Sequence, residues 1–407
     1  MHVLIIHQIF VTPEEGGGTR HYELARYLVS KGHEVTVIAS DIDYLSGKKK
    51  ARSDETRDGI RILYARTLKA VHKNFVYRAL SFLSFTVSSF IKALKVDNID
   101  VVWGTSPPLF QSLAALMVAK LRGTPFVFEV RDLWIDFAEQ LSVLSNRFVI
   151  RALKIVEGIL YRSADKIIIN SPGFEPFVAK HTTGGKEICL VPNGVITSDF
   201  DISDLGPMSF RKRYDMADKF IAIYLGNLGV ANDIEMILDS AETLRGIDDM
   251  VIVLMGGGIR KDYFKDLIAQ RGLSNVLLCD SMPKSEIPHI LADVDVGIAS
   301  LKNIPMFTTT YPNKVFDYMA AQKPTVLAID GVIREVIELS CGGTYVPPGD
   351  SAALAAAIMK YYENPQLVTE HGGNAKKYVK EHFEREKIAD RLELILGSLC
   401  SHAGRIQ

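Results

Sequence analysis

Two doubly wound α/β domains, each a mostly parallel sheet with helices on both faces, are the fold this sequence predicts. Three observations lead there. Apolar runs of strand length alternate with longer helical patterns along most of the chain. Most of those runs are too uniformly apolar for a sheet with one wet face. A chain of 407 residues is also too long for one ordinary core and suits two domains of roughly 200 residues each.

The first domain is placed at 1–195, with strands expected at 3–10, 34–39, 60–64, 100–104, 125–130, 166–170 and 188–191. The opening segment MHVLIIHQIF lacks the positive start and small-residue cleavage site of a signal peptide. Its apolar run is too short to span a bilayer, so it reads as a buried strand. Val191-Pro192-Asn193-Gly194-Val195 and a polar stretch with Asp199, Asp201, Ser203, Asp204, Gly206 and Pro207 mark a linker, set at 196–217. The second domain, 218–380, repeats the design with strands at 220–225, 250–255, 276–279, 294–299, 325–329 and 343–346. Pro347-Pro348-Gly349-Asp350 caps a helix near Ser351, and the chain then stays helical to about Gly397. A last helix within 381–407 is expected to pack back on the first domain.

Composition narrows the function classes. Hydrophobic residues at 47% and charged residues at 23% describe a globular protein. A formal net charge of −1 gives no global basic field, which argues against a nucleic-acid partner. Cys189, Cys279, Cys341 and Cys400 lie far apart without a C-x-x-C pair. Neither a zinc site nor a disulfide framework is expected, and a reducing cytoplasm fits.

Open α/β sheets bind ligands beyond the carboxyl ends of their strands. There the sequence carries Gly16-Gly17-Gly18-Thr19-Arg20-His21 before a helix, where Gly17 and Gly18 would let a phosphate or sugar reach backbone N–H groups. The spacing is not G-x-G-x-x-G, and a flexible structural turn remains the other reading. Gly226-Asn227-Leu228-Gly229 and Gly256-Gly257-Gly258 repeat the pattern, making Asn227 and Gly257 candidate donor contacts. Arg260 and Lys261 follow as candidate diphosphate cations, or as an ordinary solvated first helical turn. The most informative stretch is Tyr311-Pro312-Asn313-Lys314-Val315-Phe316-Asp317-Tyr318-Met319-Ala320, a short helix leading into a buried strand. Its N-terminus, at Asn313, Lys314 and Val315, would offer free N–H groups to an anion in the domain cleft. Asp317, one turn inside, suits ribose hydroxyls, because a carboxylate accepts two hydrogen bonds and need donate none; a first-turn acid that complements the helix dipole is the structural alternative.

Taken in order, Val191-Pro192-Asn193-Gly194-Val195, Gly226-Asn227, Met255-Gly256-Gly257-Gly258 and Asn313 to Ala320 resemble a family 4 glycosyltransferase of the GT-B fold. The opening Gly-Gly-Gly-Thr-Arg-His and the late Val346-Pro347-Pro348-Gly349-Asp350 extend the resemblance over essentially the whole chain. It is most similar to the branch that includes bacterial N-acetyl-L-fucosamine transferases of surface polysaccharides. The resemblance implies two Rossmann-like domains facing a central cleft. It also implies retaining transfer from a UDP-sugar to a lipid-linked or saccharide acceptor, without metal or other cofactor. The family's two glutamates fall on Thr309 and Asp317, and its diphosphate cations on the neutral Asn227 and Asn232. Lys314 is the favoured replacement cation, ahead of Lys261 and Arg260, with an ordinary surface lysine as the alternative. Glu129-Val130-Arg131-Asp132-Leu133-Trp134 resembles this branch's acceptor-side motif. Asp132 would orient or deprotonate the acceptor hydroxyl, and Arg131 would hold its conformation or a phosphate; an Arg–Asp pair capping the strand is the structural alternative.

Asp41-Ile42-Asp43 and Asp293-Val294-Asp295 have the D-x-D pattern of metal-dependent transferases, but the second reads better as a strand start, and no metal is expected. A helix over 75–94 places Leu83, Val87, Phe90, Ile91 and Leu94 on one stripe. Tyr77 and Phe85 fall opposite, beside Arg78, Ser81, Ser88 and Lys92. With Lys48-Lys49-Lys50-Ala51-Arg52 on a nearby loop, this suits contact with a membrane surface. Packing of Tyr77 and Phe85 under the neighbouring loop is the structural alternative; on the membrane reading, the resemblance implies a peripheral position on the inner face of the cytoplasmic membrane. Two other classes share these residues: a nucleotide-sugar epimerase, which needs no acceptor, and a non-catalytic nucleotide-sugar binding protein.

Overall fold

Every residue of the first strand, β1 (His2–Ile6), is buried, as a strand covered on both faces must be. The computed structural model describes residues 1–43, 49–50, 53–69, 75–182, 186–203 and 209–403, with the backbone alone at 75, 76, 78 and 401–403. Of the sequence features above, Lys48, Ala51, Arg52, Asp204, Gly206, Pro207 and the Arg78 side chain lie outside the described residues.

The chain divides into two units. The first holds Met1–Val11, Thr19–Pro192 and the C-terminal stretch from Glu386; the second holds Thr12–Gly18 and Asn193–Arg385. The glycine loop around Gly17, residues 193–195 and the stretch 381–385 thus go with the second unit, across the borders expected at 195 and 380. The sequence did not reveal this, because a loop's allegiance depends on the partners it meets.

In the first unit β1 is joined by β2 (Glu34–Ser40), β3 (Glu55–Arg57), β4 (Ile60–Ala65), β5 (Val101–Ser106), β6 (Phe126–Val130), β7 (Lys166–Ile169) and β8 (Ile188–Leu190). Their order is β3-β4-β2-β1-β5-β6-β7-β8, parallel except for β3 against β4. The polar β3 is an addition to the expected strands, since its sequence ETR has no apolar run to signal it. Helices α1 (Arg20–Ser30), α2 (Phe75–Ala93), α3 (Leu109–Arg122), α4 (Trp134–Gln140), α5 (Arg147–Ser163) and α6 (Glu175–Ala179) connect the strands.

The second unit carries β9 (Phe220–Leu225), β10 (Met250–Met255), β11 (Val276–Cys279), β12 (Val296–Ser300), β13 (Thr325–Ala328) and β14 (Gly343–Tyr345) in the all-parallel order β11-β10-β9-β12-β13-β14. Its helices are α7 (Phe210–Arg213), α8 (Ile234–Thr243), α9 (Lys261–Arg271), α10 (Ile287–Ala292), α11 (Asn313–Ala320), α12 (Val332–Ser340), α13 (Ser351–Glu363) and α14 (Pro365–His382). Alternate residues of each strand feed opposite cores. Ile221, Ile223 and Leu225 meet α10, α11, α12 and α14, whereas Ala222 and Tyr224 meet α8, α9 and α13. Strand β12 starts two residues later than expected because Asp293 and Asp295 act as clamps. Their carboxylates accept the backbone N–H of Arg211 and of Ile221, both at 2.7 Å, and Asp295 also takes the Arg211 guanidinium.

The last helix, α15 (Arg385–Ala403), returns to the first unit, where Ile388, Ala389, Leu392 and Leu396 share a core with α1 and alternate residues of β1, β2 and β4. Helices α2 and α5 pack on α3, which lies on β5. Gly104 of β5 is needed for that approach: a Cβ there would stand 2.8 Å from the Cβ of Ala115.

Helix α2 corrects the sequence reading of its faces. Phe85 is fully buried, and Leu83, Val87 and Ile91 are among the exposed large hydrophobics. The serines decide this: Ser81 and Ser89 are buried and small enough for close helix packing, so the stripe of larger aliphatics is left in water. Among the described residues no helix is long and apolar enough to cross a membrane.

Leu392→Ala should lower stability to urea by about 2–5 kcal/mol, because it empties a filled core position. Leu394→Ala, at a residue 75% exposed, should stay within about 0.5 kcal/mol of the parent. Equal effects of the two would contradict the packing of α15.

Candidate functional site

In the second unit the strand order reverses at β9, whose neighbours are β10 and β12. The chain leaving β9 turns through Gly226, Asn227, Leu228 and Gly229 and meets the turn after β10 backbone to backbone. Gly226 N–H donates to Met255 C=O at 2.9 Å and Leu228 N–H to Gly257 C=O at 2.7 Å. A Cβ on Gly256 would lie 1.7 Å from the Gly226 carbonyl oxygen, so no side chain fits between the turns.

Helix α11 stands beside this crossing. Tyr318 fixes it: the hydroxyl accepts Leu225 N–H at 2.9 Å and donates to Ile298 C=O at 3.1 Å, tying the helix to β9 and β12. Gly297 makes room beneath, since a Cβ there would meet the tyrosine ring at 2.4 Å. The first turn of α11 then sets Lys314 over the β9 turn. Its amine lies 3.7 Å from the centre of the Tyr224 ring, and a Cβ on Gly226 would be 3.2 Å from it. The amine is buried and makes no hydrogen bond with a described residue. Burial pushes its pKa down to about 7.

The other expected contacts divide. Asn313 is exposed at the start of α11, and a Cβ on Gly18 would lie 3.4 Å from its amide nitrogen. The loop containing Gly17 and Gly18 is held to this unit by Lys284 N–H to Glu15 C=O and Ser285 N–H to Pro13 C=O, both 3.1 Å. Asp317 is ion-paired with Lys284 at 2.6 Å. Sequence analysis missed Lys284, which lies far from α11 in the chain. Val315 departs from expectation: its N–H donates to Pro312 C=O at 3.2 Å, and its side chain fills the core. Arg260 is paired with Glu235 at 2.5 Å and lies over Tyr263, and Lys261 is paired with Asp280. Gly257 is half-buried beside the β9 turn, and Thr309 is buried, with its hydroxyl donating to Met306 C=O at 2.6 Å. Of the three cations considered, Lys314 alone lacks a carboxylate partner among the described residues.

In the first unit the order reverses at β1, between β2 and β5. There a fully buried carboxylate, Glu129, interrupts the apolar strand β6. It takes Arg20 through Nε and Nη2 at 3.1 and 3.0 Å, and the Nε2 of His21 at 2.6 Å. Burial pushes the Glu129 pKa up, but His21 and Arg20 outweigh it and hold the group ionised. Burial depresses His21 to about 4 despite Glu129, so the neutral ring donates its Nε2–H. Arg20 also donates to Val191 and Pro192 C=O, securing the end of this unit's chain. His7, buried after β1 with its ring 4.2 Å from that of His21, has neither nitrogen hydrogen-bonded to a described residue. Arg131 donates to Pro107 C=O at 2.8 Å and leaves its Nε unbonded. Burial raises Asp132 to about 6, with the Arg131 charge pulling the other way. Sequence analysis found Arg131 and Asp132 but assigned no role to the Arg20–Glu129–His21 set; a glutamate inside FVFEV was the available signal.

Residues 15–194 match the glycosyl transferase 4-like domain and residues 219–364 the glycosyl transferases group 1 domain, and the chain belongs to the family 4 glycosyltransferases. It is 22% identical to the putative colanic acid biosynthesis glycosyl transferase WcaI of Escherichia coli, over 95% of this chain and 97% of that one. It is 25% identical to the putative teichuronic acid biosynthesis glycosyltransferase TuaH of Bacillus subtilis, over 79% and 80%. Sucrose-phosphate synthase from Thermosynechococcus elongatus superimposes with a TM-score of 0.79 at 17% identity, over 98% of this chain and 99% of that one. Anabaena HepE in complex with UDP-glucose gives 0.72 at 17% identity, over 98% and 100%. The fold is that of the GT-B glycosyltransferases, with two Rossmann-like domains.

The Lys314 environment has a signature in stability. Its folded pKa of about 7 lies below the ordinary 10.5, so between those values the unfolded chain binds more protons and stability rises with pH. Urea unfolding across that window should show a gain in the parent that Lys314→Met lacks. Parallel pH profiles would show that the amine is not buried.

Proposed function

We propose that the chain transfers a sugar, with retention of configuration and without a metal, from a UDP-sugar to a lipid-linked or saccharide acceptor in bacterial surface polysaccharide synthesis. The observation that carries this reading is the buried Lys314 amine over the Gly226 turn, with no hydrogen-bond partner of its own. A diphosphate supplies the missing oxygens, and the amine stabilises the negative charge that builds as the sugar leaves. Asp317 holds the ribose while shared with Lys284. UDP is favoured over GDP by the branch resemblance and by the UDP-glucose complex of the fold neighbour HepE. The surface-polysaccharide role rests on the relatives named for colanic and teichuronic acid synthesis, and the N-acetylated hexose on the branch resemblance. Among the described residues no group of three His, Cys, Asp or Glu is arranged to hold a metal ion.

On the acceptor side Asp132 orients the attacking hydroxyl, and Arg131 holds its conformation. The bond from the anomeric carbon to the diphosphate oxygen breaks, the bond to the acceptor oxygen forms, and the acceptor proton leaves with the diphosphate. The exposed stripe Leu83, Val87 and Ile91 on α2 favours a membrane-borne acceptor.

Calorimetry with UDP and GDP, without added metal, tests the donor half. UDP should bind selectively, and Lys314→Met and Asp317→Ala should each weaken it by roughly tenfold or more. Unchanged affinity in both would remove the site, and turnover of UDP-sugar without acceptor would favour the epimerase.

Asp132→Asn should lower kcat by roughly 100-fold with donor affinity intact. It should also abolish the acid limb of the rate profile, which in the parent falls below about pH 6 as the carboxyl protonates. A profile that keeps this limb would assign Asp132 to structure alone.

A further inference from the structure

Helix α11 brings charges of opposite sign to the candidate donor site. Lys314 stands in its first turn and Asp317 one turn later, so the two are neighbours along one side of the helix. By itself the Asp317 carboxylate would offset the charge of Lys314 and repel an incoming diphosphate. A third charge stands beside them. The Lys284 amine lies 2.6 Å from Asp317 Oδ1, and among the described residues neither group has another ion-pair partner. With side chains only 21% and 13% exposed, the pair is weakly screened by salt and water.

Lys284 is held in place from outside α11. Its backbone N–H donates to Glu15 C=O at 3.1 Å, and Ser285 N–H donates to Pro13 C=O at 3.1 Å. The glycine loop that supplies these carbonyls is itself closed: Glu15 N–H donates to Thr12 C=O and Thr12 N–H to Glu15 Oε2, both at 2.9 Å. The amine also lies 5.8 Å from the centre of the Phe200 ring. These contacts fix where the lysine starts and limit the freedom of a long side chain to leave the carboxylate. A carboxylate has about four acceptor positions, so one ammonium leaves Asp317 able to take ribose hydroxyls as well.

We propose that Lys284 is a positioning residue of the donor site, neutralising Asp317 so that this carboxylate can accept the ribose hydroxyls without repelling the neighbouring diphosphate. The charge count carries this. Asp317 and Lys284 cancel, which leaves Lys314, held protonated by an anion, to the diphosphate. Without Lys284, Asp317 and Lys314 cancel instead, and the site has no net attraction for the diphosphate. The glycine loop enters as the strap that holds Lys284, a role that needs no contact of Gly17 or Gly18 with the nucleotide. The inference rests on the donor reading and adds to it a residue that acts through Asp317.

Calorimetry with UDP on the full chain tests this through a double-mutant cycle. Lys284→Met, and the more conservative Lys284→Gln, should each weaken UDP binding by roughly tenfold or more, because Asp317 is left as an uncompensated charge. Lys284→Arg, which keeps the charge, should restore most of the affinity. Adding Asp317→Asn to Lys284→Met should bind UDP several-fold more tightly than Lys284→Met alone, since the repelling charge is removed with the lysine. Loss of a merely structural contact would make that second substitution neutral or harmful, which would overturn the proposal. Equal UDP affinity in the parent and both neutral variants would overturn it too. Tighter binding in those variants would make Lys284 a competitor for the carboxylate and would also overturn it. In each of these cases the parent still binds UDP and the donor reading stands. No UDP binding by the parent would remove the donor site, and this inference with it.

Discussion

A parallel sheet whose strand order reverses sends two loops apart from neighbouring strand ends, and the backbone and polar groups at that gap cannot be satisfied by another strand. Both units answer this constraint, in opposite ways. After β1 the first unit fills the gap with charge that is already compensated: Glu129 gathers Arg20 and His21 in a buried set. After β9 the second unit closes glycine backbone on glycine backbone and leaves a lone amine above it.

The difference is one of charge compensation. Removing one member of a paired buried charge leaves the other uncompensated, which is costly, so the Arg20–Glu129–His21 set behaves as scaffold. It secures the end of β8 through Val191 and Pro192 and stands beside His7. Lys314 is the reverse case: burial without a counter-charge lowers its pKa, and a bound diphosphate would relieve that cost. Tyr318 keeps the amine in place, because its hydroxyl is spent on Leu225 and Ile298 and leaves α11 little freedom against β9 and β12.

The outer layer of the first unit follows a separate logic. Helices α2, α3 and α5 each leave large hydrophobic residues exposed, with basic side chains close by on α5. Surface apolar residues scattered singly need no explanation, but here they recur on three helices that pack in sequence.

The sequence by itself determined the two sheets and most of their strands, because double-sided burial writes each strand as an uninterrupted apolar run. It also located the glycine turns and α11, and it singled out Lys314, Asp317, Arg131 and Asp132 as candidates, since turns and helix starts are local chemistry. The tertiary structure decided which groups have partners. Arg260 and Lys261 looked equivalent to Lys314 in the chain, yet only folding supplies Glu235 and Asp280 to the first two and withholds a carboxylate from the third. It decided which side of α2 meets water, because Phe85 and the serines fit against the sheet and α3 in a way that periodicity cannot rank. It also assigned the glycine loop and α15 to their units. Those placements rest on contacts between residues hundreds of positions apart, such as Lys284 with Glu15 and Leu392 with the core around β1, and no local pattern encodes them.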